Sequence, residues 1–150
     1  MENSDTFDLR LFLPYLLNQA AEQSSLSFQR VYKDRYGMLR TEWRVLFHLG
    51  IFGQMTARDI GIRASLHKTK ISRAVHKLAS RRFITRHRSE DDRRQELLGL
   101  TAAGRAVYVD LRAIAKQYQA DLGSDFTKAE RALLQSMLQR LAGPTGPIPR

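Results

Sequence analysis

The apolar residues of this chain recur at helical spacing almost throughout, and the period changes to that of strands only between residues 83 and 100. Residues 83–86 and 96–100 read as two short strands, and the charged residues 88–94 between them read as a loop. This change of period restricts the fold to one small β element among helices. The pattern therefore predicts a mainly α protein with a single β-hairpin.

A long helix is predicted near the N-terminus. Apolar residues from Leu13 to Val31 alternate at four- and three-residue steps, which places them on one stripe of a helix that ends near residues 36 and 37. Pro14 is tolerated only in a first turn, so the helix is expected to begin at residue 12 or 13. This helix is longer than a globular chain of 150 residues needs to cover one side of its core.

Three shorter helices are predicted before the hairpin. Thr41 is placed to cap a helix over residues 42–49 that Gly50 closes. Thr56 is placed to cap the next helix, with Asp59 three residues further on. After a turn over residues 63–66, a third helix is expected over residues 68–81.

Two helices are predicted after the hairpin. Thr101 is expected to cap the first, which carries an apolar stripe from Val107 to Leu122. Thr127 and Glu130 have the spacing of a capping box and open the second, which ends before Gly143 and Pro144. Boundaries are placed at residues 1–37 for a lead-in and first long helix, 38–100 for a central lobe that ends with the hairpin, 101–143 for the closing helices and 144–150 for a flexible tail.

The positive charge of the chain is concentrated in one segment. Residues 65–94 hold ten Lys or Arg and three Asp or Glu, whereas the two flanking segments are nearly neutral. Such a cluster is either a solvated face or the footprint of a polyanion. The elements on which it lies favour the second interpretation, because two short helices, a tight turn and a hairpin describe a winged helix-turn-helix.

In that arrangement residues 67–82 are the recognition helix and residues 86–95 are the wing. The outward residues near the start of a recognition helix meet base edges in the major groove. These residues are His67, Lys68, Thr69, Lys70, Ser72 and Arg73. The three cations among them are suited either to guanine edges or to phosphates, and the sequence leaves both roles open.

The wing carries a family signature. Residues 92–104 match the pattern D-x-R-x-x-x-L-x-L-T-x-x-G, and residues 71–78 resemble the matching recognition helix, so the chain resembles the MarR family of bacterial transcription regulators over about residues 9–142. The chain departs from the family at His67, where a capping Ser is usual, and at Ser65 and Arg82, where Gly is usual. The resemblance implies that Arg94 enters the minor groove while Asp92 holds its guanidinium. Further DNA contacts are assigned to the cations of the helix and the wing: Lys77, Arg86, Arg88 and Arg93.

The apolar stripes of the terminal helices exceed what one small lobe can cover, so we expect a homodimer. Two-fold symmetry presents two recognition helices to successive major grooves about 34 Å apart, and the operator is expected to be a pseudopalindromic duplex. The resemblance also implies a pocket between the dimerisation helices and the DNA-binding lobe, for an aromatic carboxylate or a CoA thioester. The residues assigned to it are Tyr15, Asn18, Trp43, Arg44 and His48, with plain core packing as the alternative for Trp43.

Other function classes have no support in the sequence. Cysteine is absent, the four histidines are scattered, and no nucleophile-elbow or phosphate-loop motif occurs, so neither an enzyme nor a metal or other cofactor is expected. The N-terminal residues lack an apolar stretch, and a cytoplasmic location without membrane contact is expected. The sequence thus predicts a ligand-released repressor, with a constitutive architectural DNA-binding protein as the alternative.

Overall fold

A computed structural model describes residues 6–144, which form six α-helices and a three-stranded antiparallel sheet. The helices are α1 Leu13–Tyr36, α2 Arg40–Phe52, α3 Ala57–Ala64, α4 Lys68–Ser80, α5 Ala102–Leu122 and α6 Lys128–Ala142. The strands are β1 Met55–Thr56, β2 Ile84–Arg88 and β3 Glu96–Leu100. Short 3₁₀ turns, Leu9–Leu11 and Gly123–Asp125, precede α1 and α6. The predicted mainly α, winged helix-turn-helix fold is confirmed, while the tail beyond residue 144 lies outside the described residues.

The ends of most helices follow from local chemistry. Pro14 lies in the first turn of α1, and Gly37 ends this helix at a φ of 62°. The hydroxyls of Thr56, Thr101 and Thr127 each accept a hydrogen bond from the backbone N–H three residues on. These caps are confirmed as predicted.

Helix α2 differs from its predicted bounds at both ends. It starts at Arg40, because the Glu42 carboxylate accepts the N–H of Leu39 and closes the first turn one residue before Thr41. It also continues through Gly50 to Phe52 and ends at Gly53. Gly50 was wrongly assigned as a helix stop: a Cβ there would lie 2.6 Å from the Tyr108 ring, so its smallness serves the contact between α2 and α5.

The sheet contains one strand more than the predicted hairpin. β3 lies between β2 and β1, and Met55 of β1 pairs with Leu98. β2 starts one residue later and ends two residues later than predicted, since Arg88 still pairs with Glu96. Helix α3 likewise continues to Ala64, past the start of the predicted turn at residues 63–66.

The core lies where α1, α2, α4, α5 and the sheet converge. Its fully buried side chains include Tyr32, Met38, Val45, Leu46, Leu49, Ile60, Leu78, Leu98 and Leu111. Rings of α1, α2 and α5 pack edge to face beside it, among them Phe28 with Trp43 and Phe47 with Tyr108. Within residues 6–144, no helix has the length and apolar character that crossing a bilayer requires.

The wing and α5 are joined at one close contact. The Thr101 hydroxyl donates to the carbonyl of Arg82 at 2.7 Å, and the Thr101 N–H donates to the carbonyl of Phe83 at 3.0 Å. The first turn of α5 is thereby held against the chain segment that leaves α4. A Cβ on Gly104 would lie 1.9 Å from the Phe83 carbonyl oxygen. Only glycine fits this position without moving backbone.

We predict that Gly104→Ala destabilises the fold by about 3 kcal/mol, because the added methyl must displace a backbone carbonyl. Chemical denaturation followed by circular dichroism measures the change. Gly99→Ala is the matched control, since its Cβ would lie at ordinary contact distances of 3.4 Å or more. Equal losses for the two variants would contradict the role given to the close contact.

Two residues that flank α4 adopt left-handed backbone. Ser65 has a φ of 52° and Arg82 a φ of 63°, and they are the two described non-glycine residues with positive φ. These are the positions at which the sequence departs from the glycines of the resembled family. A side chain in this conformation costs about 1 to 2 kcal/mol. The departures thus leave the turns intact and place strain at both ends of α4.

Arg82→Gly is expected to raise the free energy of unfolding by about 0.5 to 1 kcal/mol, because the relief of strain exceeds the added entropy of the unfolded chain. Arg82→Ala removes the same charge but keeps the Cβ, so it should give no comparable gain. Thermal and urea unfolding compare the variants. A similar gain from both would assign the effect to the charge rather than to the backbone.

Candidate nucleic-acid interface

Helix α4 separates an apolar face from a polar one. Ile71, Ala74, Val75 and Leu78 are buried against α2 and α3. The Nδ1 atom of His67 accepts the N–H of Thr69 at 3.3 Å, so His67 caps the helix in place of the usual serine. Anchoring on one face fixes the direction in which the other face points.

The exposed face of α4 carries every helical residue assigned to DNA. These residues are Lys68, Thr69, Lys70, Ser72, Arg73 and Lys77, with His76 between them. Lys70, Arg73 and Lys77 line a concavity of about 670 Å³ whose opposite wall is the start of α2, including Thr41 and Glu42. The first turn of α2 therefore adjoins the predicted contact surface, which the sequence did not indicate.

A second groove lies on the other side of α4, between α3 and the wing. It measures about 610 Å³ and has an apolar floor that includes Ile62 and Val75. Three cations lie along it: Arg58, Lys68 and Arg86. Arg58 was not assigned from the sequence because it precedes the charge-dense segment, and only the fold brings α3 beside the wing.

Most cations of residues 65–94 form no ion pair within the part of the chain that the structure describes. Among the described residues, the one salt bridge of this segment joins Arg86 to Glu96, with 2.7 Å between Nε and Oε1. Arg81 instead lies over the Phe83 ring, 4.8 Å from its centroid. The remaining charge is available to an external anion.

The wing tip is organised by the backbone, in a way that corrects one expectation. Asp92 was expected to hold the Arg94 guanidinium, but its Oδ1 accepts the backbone N–H of Arg94 at 3.0 Å and no ion pair joins the two described side chains. A carboxylate two residues before an N–H closes a local turn more readily than it reaches the next side chain. Arg88 donates to the carbonyl of Arg93 at 2.8 Å across the same loop. The Arg94 guanidinium is left exposed.

A cavity of about 670 Å³ lies between α1, α2, α5 and α6. Phe28, Trp43 and Tyr118 form an aromatic wall, and the cations Lys128 and Arg131 line the side of α6. Trp43 also packs at 5.2 Å from the Phe47 ring. It therefore serves core packing and lines the cavity at once.

The other four residues assigned to a ligand do not line this cavity. Tyr15 and Asn18 are exposed on the first half of α1. His48 binds the carbonyl of Arg44 through Nδ1 at 2.6 Å. Burial lowers the pKa of Arg44 below its usual range, and the nearby charge of Arg40 lowers it further. Among residues 6–144, no group of three possible metal ligands comes together.

Helices α1 and α5 are tied at two points. At the first, Arg35 and Tyr36 both donate to the Asp110 carboxylate, at 2.9 Å and 2.5 Å. These hydrogen bonds, that of Tyr36 foremost, lower the pKa of Asp110, while burial and the same bond raise the pKa of Tyr36. At the second, the Tyr118 hydroxyl donates to the carbonyl of Ser24.

Large apolar side chains remain uncovered at both ends of the chain. In α1 no residue before Phe28 is buried, and Leu13 is 60% exposed. Helix α6 has no buried residue at all, with Leu133 55% and Leu141 60% exposed. These are the stripes that the sequence predicted to be shared between two copies.

Comparison with known proteins supports the winged helix-turn-helix fold and the family resemblance found in the sequence. A family model described as "MarR family" matches residues 36–95, which span α2 to the tip of the wing. An uncharacterised helix-turn-helix transcriptional regulator of Bacillus subtilis, YwoH, is 21% identical over 119 residues, covering 78% of this chain and 86% of YwoH. The predicted resemblance to the MarR family of transcription regulators is confirmed.

Two solved structures share the fold over nearly their whole length. BpsR of Bordetella bronchiseptica, whose DNA binding is regulated by 6-hydroxynicotinic acid, aligns with a TM-score of 0.85 at 20% identity, covering 93% of this chain and 99% of its own. MepR of S. aureus, solved as a DNA complex, aligns with a TM-score of 0.78 at 17% identity, covering 88% and 97%.

Proposed function

We propose that this protein is a sequence-specific DNA-binding regulator that acts as a dimer and represses transcription until a small ligand releases it. The observation that carries the proposal is the exposed face of α4, whose four cations have no ion-pair partner among the described residues. Unpaired cations on a rigid helix favour duplex DNA, because each phosphate contact releases condensed counterions.

The helix and the wing have different tasks in this proposal. Polar side chains at the start of α4, such as Lys68 and Ser72, meet base edges, while Arg94 extends from the wing toward the minor groove. Lys77 lies further along α4 beside the start of α2 and serves a phosphate. Arg58 adds a phosphate contact from α3.

We expect Arg94→Ala to weaken binding to a duplex selected from a random library by about 1 to 3 kcal/mol. Lys77→Ala should weaken selected and random duplexes alike and lower the salt slope by about one counterion. Fluorescence anisotropy at several salt concentrations measures both effects. Lys116→Ala, which removes an exposed cation of α5 outside residues 65–94, is the control and should change neither.

The same titrations separate a regulator from an architectural protein. A regulator prefers its selected duplex over random DNA by about a thousandfold or more. A ratio near one would overturn the proposed sequence specificity and favour the architectural alternative. Unchanged affinity in Arg94→Ala would remove the wing from the interface.

The exposed stripes of α1 and α6 favour a two-fold dimer. Each large apolar side chain contributes about 1.5 to 3 kcal/mol when it leaves water. The first half of α1 and the apolar face of α6 can pack against the same surfaces of a second copy. One isologous interface then buries both stripes. Two recognition helices then face the same side of the duplex.

The cavity beside Trp43 is suited to an aromatic carboxylate. The rings of Phe28, Trp43 and Tyr118 offer stacking faces, and Lys128 lies at the α6 side to meet the carboxylate. The related BpsR responds to 6-hydroxynicotinic acid, which has this chemistry. Lys128 and Arg131 thus supply the positive charge in this cavity, in place of Arg44, which the sequence had assigned to the pocket.

Trp43 is the single tryptophan of the chain, so its fluorescence reports occupancy directly. We expect benzoate, salicylate or 6-hydroxynicotinate to quench it, and Lys128→Gln to weaken that binding roughly fivefold by removing the charge partner. Benzamide, which lacks the charge, should bind both forms equally. The absence of quenching by every carboxylate and by benzoyl-CoA would contradict the ligand class but leave the DNA-binding proposal standing.

A further inference from the structure

Helix α1 is held to the rest of the chain along only part of its length. From Ser24 to Tyr36 it is fixed by the Tyr118 hydroxyl, by the buried Phe28 and by the Asp110 tie. The preceding residues 13–23, here called the arm, contain no buried residue. Within the described residues, the one salt bridge that they form joins Glu22 to Arg40 at 3.6 Å. Apart from that ion pair at its C-terminal end, the described contacts that fix α1 lie from Ser24 onward.

The hydrogen bonding of α1 changes where the tether begins. The hydroxyls of Ser24 and Ser25 both donate to the carbonyl of Ala21, at 3.2 Å and 2.5 Å. The carbonyl of Ser24 accepts the Tyr118 hydroxyl from α5. Side chains that donate to carbonyls one turn back compete with the helical N–H groups and bend helices. The two side-chain hydrogen bonds and the tether therefore lie within two residues of each other, and α1 is expected to bend most readily at this point.

We propose that Tyr118 is a positioning residue that sets the direction of the arm relative to the DNA-binding lobe, with Ser24 and Ser25 as the point at which α1 bends. The inference rests on the proposed dimer, because the arm then carries the partner. An arm of 11 residues is about 16 Å long, so a tilt of about 10° moves its tip by about 3 Å. That displacement is comparable to one base-pair step in the spacing of the two recognition helices.

The cavity beside Trp43 adjoins the hydrogen bond between Tyr118 and Ser24. Ser24 and Tyr118 both line it beside Trp43. An occupant whose oxygen accepts the Tyr118 hydroxyl competes with the Ser24 carbonyl and frees the bending point. A ligand of this kind would therefore act on DNA binding through Tyr118 and the arm, without contacting α4.

The chain lacks cysteine, so one introduced cysteine carries a spin label at a single position. With Ser80→Cys at the exposed end of α4, pulsed electron paramagnetic resonance measures the distance between the labels of two copies. Tyr118→Phe removes only the hydroxyl and is expected to shift or broaden this distance by about 3 Å or more. Tyr108→Phe, whose hydroxyl makes no described hydrogen bond to α1, should match the parent.

A second readout separates positioning from stability. In selections from libraries of paired half-sites, Tyr118→Phe should change the preference between adjacent half-site spacings at least about threefold, while its affinity for an isolated half-site is unchanged. Thermal unfolding confirms that each variant is folded. Unchanged distances and spacing preference in a folded, dimeric Tyr118→Phe would overturn the role of Tyr118. A parent protein that gives no distance between labels would overturn the dimer itself and this inference with it.

Discussion

The contact between the first turn of α5 and the backbone of Phe83 determines how the parts of this molecule stand relative to one another. Thr101 bonds to two successive carbonyls there, and Gly104 allows the helix to approach without a side chain between. One short segment thus fixes the end of α4, the start of β2 and the start of α5. The recognition helix, the wing and the long closing helix all take their directions from this point.

Acidic and basic side chains have different places in this framework of helices and wing. Acidic groups pair where helices meet, as Asp110 does between α1 and α5, or bind backbone, as Asp92 does in the wing. Within residues 6–144 the cations of α4 have no such acidic partner, so this face keeps its positive charge. An extended field of one sign raises the rate of encounter with DNA as well as the affinity.

The sequence predicts those parts of the structure whose causes are local. The caps at Thr101 and Thr127 follow from groups within three residues, and both are correct. Gly50 was assigned wrongly because glycine is typical both of a helix end and of a close contact between two helices. The ring that shows the second role, Tyr108, is 58 positions away in the sequence. The strand at Met55 is two residues long and depends on pairing with Leu98. It is therefore too short to show the alternating apolar pattern of a strand in the sequence. The basic segment was predicted from the charge of residues 65–94, whereas of the cavity lining only Trp43 was predicted, because the cavity joins residues from four helices.

Helix α5 makes two close contacts that depend on glycine, at Gly50 and at Gly104, and they tolerate substitution to different degrees. At Gly50 the obstacle is the Tyr108 ring, so a smaller residue at position 108 would make space for a side chain at position 50. At Gly104 the obstacle is the Phe83 carbonyl, which every amino acid possesses. Related sequences are therefore expected to vary jointly at positions 50 and 108, whereas position 104 has no second site that can compensate for its loss.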